Sequence, residues 1–150
     1  MRISTKVECG IIALIDIAIN SADGEIVTVS SIAERHNISV KYLEQILPLL
    51  RQANLIRSQK GSRGGYVISS SGRDITFKDI LNALDINILS DVTFDLPEKN
   101  NGYVDAINGF LWKDMTEYMK KYAEKITLAD AVTRCRDAAP SDADEFMYYI

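Results

Sequence analysis

From Val40 to Ala53 the apolar residues Tyr42, Leu43, Ile46, Leu47, Leu50 and Ala53 return at steps of three and four. That period predicts an amphipathic helix, whose other face opens with Ser39, Lys41, Glu44 and Gln45. Pro48 falls inside it and removes one backbone hydrogen bond, so a bend is expected there. The apolar phase continues past the proline, which keeps the segment a single helix. Upstream, Thr28-Val29-Ser30 offers capping hydroxyls, and Ile32 and Ala33 mark a helix of two turns. Arg35 to Ser39 reads as the break between the two. Asn37 tolerates a left-handed backbone, and Ser39 can cap the second helix. Nearer the start, Val7, Ile11, Ile12, Ile15, Ala18 and Ile19 form a wide apolar face on a helix from about Ser4 to Asn20. Thr5 and Glu8 have capping-box spacing at its head.

The pattern changes after Ala53. Leu55 to Ser58 reads as a strand, Gln59 to Gly65 as a turn, and Tyr66 to Ser69 as the returning strand. Three glycines in the turn suggest positive-φ freedom, while Arg57, Lys60 and Arg63 make the tip cationic. Short helix, tight turn, second helix and basic hairpin, in that order, are the layout of a winged helix-turn-helix. The fold expected is mainly α with a small β-hairpin wing, followed by a long helix. Lys41, Tyr42, Glu44 and Gln45 lie where such a helix meets base edges. Ser39, Arg51, Arg57, Lys60 and Arg63 suit phosphates or a narrow minor groove.

Thr76 caps a further helix, Phe77 to Leu84, with Phe77, Ile80, Leu81 and Leu84 inward. Residues 86–101 have no period and read as a linker after a DNA-binding domain spanning 1–85. Helical spacing then resumes through Val104, Ile107, Leu111, Met115, Tyr118, Met119, Tyr122 and Ile126. A helix of about 25 residues spans roughly 37 Å, more than a small domain can cover. It is therefore expected to make a homodimer, which paired half-sites also require. Thr127 caps a short helix to about Cys135, so that 102–136 form the dimerisation region. Residues 137–150 make an acidic tail with an aromatic end, Phe146, Tyr148, Tyr149 and Ile150. Such an end suits either a fold-back onto the dimer or a pocket on another protein.

Composition changes this picture in two places. A net charge of −4 is unsuited to DNA as a total, but residues 1–75 hold nine Lys/Arg against seven Asp/Glu. Between positions 41 and 63 five basic residues face Glu44 alone, and local charge governs phosphate contact. The two cysteines, Cys9 and Cys135, have no metal-ligand or disulfide-framework spacing. Cys9 reads as a small buried hydrophobe, and Cys135, between two arginines, as a thiol whose pKa would fall if exposed. His36 is the one histidine, and no nucleophile–base pair or phosphate loop accompanies it, so no enzyme is expected. Without an apolar span or a signal pattern, the expected location is cytoplasmic, away from any membrane.

Arg2 to Lys6, Tyr42-Leu-Glu-Gln-Ile46, Leu49 to Arg51 with Ala53 to Leu55, Arg63-Gly-Gly-Tyr-Val67 and Ile75-Thr76 with Asp79-Ile80 together resemble the Rrf-type regulators. The resemblance covers nearly the whole chain. It implies a dimeric winged-helix transcription factor that binds imperfect palindromes of double-stranded DNA. Cluster-binding members carry three cysteines in the region corresponding to 85–126, where this chain has none. Thiolates are the usual cluster ligands, so no iron–sulfur cofactor is expected. The resemblance then points to the cluster-free, CymR-like branch, repressors of cysteine metabolism that work with cysteine synthase (O-acetylserine thiol-lyase). That enzyme captures the C-terminal isoleucine of serine acetyltransferase, and the Phe146–Ile150 end here would suit the same pocket. The alternatives are a redox- or nitrosative-stress regulator of the same fold, or a winged-helix adaptor that does not read DNA.

Overall fold

The computed structural model describes residues 2–70, 72–93 and 102–140. Helix α1 (Thr5–Asn20) is the post around which the rest is built: α2, α3, α4, α7 and the second strand of the wing all pack on it. Its cap is Ser4, whose Oγ accepts the Val7 N–H at 3.3 Å, rather than the Thr5/Glu8 pair. Of the face expected from periodicity only Val7 and Ile15 are buried, Ile11, Ile12, Ala18 and Ile19 being half-buried; because neighbours surround the helix, burial centres instead on Gly10, Ala13, Leu14 and Ile17. At Gly10 a β-carbon would stand 2.4 Å from Leu84 Cδ2 and 3.2 Å from Ile46 Cγ2. Glycine there lets α1, α3 and α4 meet closely.

Helix α2 (Val29–His36) is capped by Thr28, and α3 (Val40–Gln52) by Ser39, which accepts the Tyr42 N–H at 3.0 Å. Arg35 and His36 belong to the last turn of α2, so the break is shorter than the sequence suggests. It comprises Asn37, Ile38 and Ser39, and Asn37 is its left-handed residue, with φ 53° and ψ 45°. Helix α3 runs through Pro48 to Gln52, with Ala53 as its C-cap and Asn54 beyond it at φ 60°. There the Asn54 N–H reaches the Arg51 carbonyl and the Leu55 N–H the Leu50 carbonyl, a left-handed cap that asparagine tolerates. Leu43, Ile46, Leu47 and Leu50 fill the core under α1, as their spacing predicts.

Strands β1 (Ile56–Gln59) and β2 (Gly65–Ile68) pair antiparallel, with Arg57 opposite Val67 and Ser58 opposite Tyr66. Each is displaced by one residue from its sequence-based range. Val27 joins their edge through two 2.8 Å backbone hydrogen bonds with Tyr66. Helix α4 (Phe77–Leu84) opens on a Thr76/Asp79 capping box. The residues after it are anchored, since Ile88 packs on the core and Leu89 is buried.

Helix α5 (Tyr103–Ile107), a π-helical turn (Asn108–Trp112) and α6 (Lys113–Lys125) follow one another without leaving right-handed helical backbone. The rod is about 35 Å long at the usual rise. Helix α7 (Leu128–Ala138) opens on a Thr127/Asp130 capping box and continues three residues past Cys135, into the stretch read as tail. The α6–α7 corner is stitched to the first domain: Phe77 N–H to Ile126 O at 2.9 Å, Leu128 N–H to Ile75 O at 2.8 Å, and Ala129 N–H to Gly72 O at 3.0 Å. Leu128 is completely buried in the common core. Among the described residues no helix is long and apolar enough to cross a membrane.

Candidate nucleic-acid interface

Helix α3 turns its apolar side onto α1 and leaves Ser39, Lys41, Glu44, Gln45 and Arg51 exposed. Tyr42 is half-buried and packs against the core. Arg57, Lys60 and Arg63 are exposed on the hairpin. None of Lys41, Arg51, Arg57, Lys60 or Arg63 takes part in an ion pair among the described residues. Uncompensated cations on a protruding hairpin and one helix face can neutralise phosphates and release their counterions.

The glycines of the wing serve space more than φ. Gly61 alone has a positive φ there, 145°. A β-carbon on Gly64 would stand 2.9 Å from the Gln59 carbonyl oxygen, and one on Gly65 would stand 2.5 Å from that of Val27. Both contacts are with backbone, which cannot give way cheaply. The Arg63-Gly-Gly-Tyr sequence is thus what allows the hairpin to close and dock on the Val27 strand. Ser21, buried at the end of α1, adds a further tie: its Oγ donates to Ile17 O at 2.6 Å and accepts the Ile68 N–H at 3.0 Å.

A polar cluster that periodicity did not reveal lies behind α2. The Asp16 carboxylate is 4% exposed as a residue and takes three hydrogen bonds. They come from Arg35 Nε at 2.8 Å, Arg35 Nη2 at 2.6 Å and His36 Nε2 at 2.7 Å. Burial pushes the carboxyl pKa up, but the hydrogen bonds from Arg35 and then His36 outweigh it and hold it below the ordinary aspartate value. The only hint in the sequence is an acid inside an apolar helical face.

On the rod, Ile107, Leu111, Met115, Tyr118 and Tyr122 are exposed, while Val104 and Met119 are half-buried. Phe110 and Tyr118 are 82% and 76% open. Thr116 and Ala123 are the two residues that α6 buries, and Glu124 and Lys120 pair with Lys78 and Asp91. An apolar groove of about 1160 Å³ lies between α4, α6 and α7, with Phe77, Leu81, Leu89, Met119 and Ala123 in its walls. Phe146, Tyr148, Tyr149 and Ile150 lie outside the described residues.

Cys9 is half-buried on α1, where burial, with the neighbouring Glu8 charge, pushes its thiol pKa up; Cys135 is exposed on α7. No group of three His, Cys, Asp or Glu able to hold a metal occurs among the described residues. A cluster of the usual kind needs more thiolates than these two separated cysteines supply. The donor set does not fit one.

A helix-turn-helix with a basic β-wing and a long appended helix defines a DNA-binding transcriptional regulator. The chain belongs to the Rrf2 family, described as iron-dependent transcriptional regulators, whose model matches residues 3–134. It is 32% identical to the HTH-type transcriptional regulator IscR of Yersinia pestis over 88% of this chain and 79% of that one. Among solved structures it resembles T. potens IscR, at TM-score 0.72 and 31% identity, over 99% of this chain and 97% of that one. It also resembles CymR, the global cysteine regulator of B. subtilis, at TM-score 0.71 and 30% identity, over 89% and 98%. The relatives are regulators, and the protein is one rather than an enzyme.

Proposed function

We propose that the protein is a homodimeric repressor of cysteine and sulfur metabolism genes that works without an iron–sulfur cluster. Two copies of α3 would read the half-sites of an imperfect palindrome, with Lys41, Tyr42, Glu44 and Gln45 toward base edges. Arg57, Lys60 and Arg63 of each wing would take phosphates or the minor groove, joined by Ser39 and Arg51. The apolar side of the rod, Val104, Ile107, Leu111, Met115, Tyr118, Met119 and Tyr122, would be covered by the second copy.

The observation that carries the choice of branch is the absence of cysteine from positions 85–126. Likeness to a protein called the global cysteine regulator supports the same choice, although likeness to IscR is equally close. Cysteine synthase is the proposed co-regulator, held by Phe146, Tyr148, Tyr149 and Ile150. The test is titration of the protein into cysteine synthase, followed by pyridoxal-phosphate fluorescence, beside a chain shortened to residue 140. A saturable change that the shortened chain loses is the expected result. No change with either chain removes cysteine synthase from the reading and leaves the DNA interface standing.

A further inference from the structure

We infer that Asp16 is a positioning residue for DNA readout, setting the angle at which α2 presents the turn and the recognition helix. The inference rests on the reading of α3 as the base-contacting element. Helix α2 has one fully buried side chain, Ile32, with only the small apolar residues Val29 and Ala33 half-buried beside it, so packing alone fixes its rotation less tightly than it fixes α3. The clasp supplies direction instead. Arg35 meets Asp16 as a two-pronged fork, and His36 reaches the same carboxylate from the next position. A planar guanidinium fork fixes orientation as well as distance. These two residues immediately precede Asn37, the single left-handed residue of the turn, and Ser39, the cap of α3. A tilt of the α2 end is therefore passed to the first turn of α3 within three residues.

A buried carboxylate is a weak source of stability, because desolvation cancels much of what its partners return. Its directionality is what an apolar residue could not replace. The placement also matters: Ser21, on the same helix end, anchors β2 of the wing through the Ile68 N–H. Helix α1 thereby sets the recognition helix from Asp16 and the wing from Ser21, so that one element gauges the spacing of both.

The test compares affinity for a duplex selected by the wild-type protein from a random-sequence library with affinity for an unrelated duplex of equal length. Asp16→Asn keeps the shape and loses the charge. It should lower the ratio of specific to non-specific affinity by about tenfold, the order of one misplaced base contact. Arg35→Lys, on the solvent side of the clasp, keeps the charge but loses the fork and should lower the ratio by less. Should Asp16→Asn fail to fold, Arg35→Lys decides the question alone. A ratio unchanged from wild type, with both affinities merely tracking the folded fraction by circular dichroism, overturns the inference. A wild-type protein that selects no sequence overturns the DNA reading itself, whereas a selective wild type with equally selective variants overturns only the positioning role.

Discussion

The helix-turn-helix core and the long rod are both helical and both rich in apolar residues, yet they dispose of those residues in opposite ways. In the core, Leu14, Ile17, Ile32, Leu43, Leu47 and Leu50 are completely hidden by their own chain. On the rod, Phe110, Tyr118 and Tyr122 stand mostly in the open. Periodicity is the same in the two regions. What differs is whether the chain supplies a covering partner, and a stripe without one is the mark of an association surface.

The contrast breaks first at its strongest point. Leu14→Ala should lower the unfolding free energy by about 2–5 kcal/mol, read from urea denaturation, because the cavity it leaves touches α1 and its neighbours. Leu111→Asp with Tyr118→Asp should leave the helical content unchanged and shift sedimentation from dimer toward monomer by at least about a hundredfold in dissociation constant. A rod that stays dimeric with both charges in place would end the proposed division of labour. Lys60→Ala with Arg63→Ala should weaken binding to all duplexes alike and reduce the slope of log affinity against log salt by about four, two cations being lost from each of the dimer's two wings. An unchanged slope would remove the wing from the interface.

Acid separates the two regions again. Asp16 is held below its ordinary pKa in the folded protein, so the unfolded chain binds its proton first as pH falls. Its contribution is complete above the ordinary aspartate range and is lost as pH drops through the lowered folded value. Stability of the core should fall more steeply across that window in the wild type than in Asp16→Asn, measured by urea midpoints at successive pH values. The smallest effect belongs to the surface pair of Lys78 with Glu124, 2.5 Å apart between α4 and α6. Both are partly solvated, and Lys78→Ala should leave the urea midpoint unmoved.

Much of the architecture was legible in the sequence, because its signals are local. Caps at Thr28, Ser39, Thr76 and Thr127, the left-handed Asn37, and the three-and-four spacing of Leu43 to Leu50 each act within a few residues of where they stand. The candidate interface came from the same signals: a polar face opening α3 and a cationic hairpin after it. Two errors had a common source. Thr5 and Glu8 satisfy the capping spacing, yet Ser4 holds the cap, and Gly64 and Gly65 answer to neighbouring backbone rather than to φ.

By itself the sequence determined which segments are helix or hairpin, where most of them begin, and that α3 and the wing carry the positive charge. Tertiary structure alone decided the Asp16 clasp across 19 and 20 positions, the docking of Gly65 on Val27, and the seam joining residues 72–77 to 126–129. Period and capping report what a residue needs from its own turn of chain. Pairings across the molecule depend on which surfaces the packed helices bring together, and no local pattern encodes that choice.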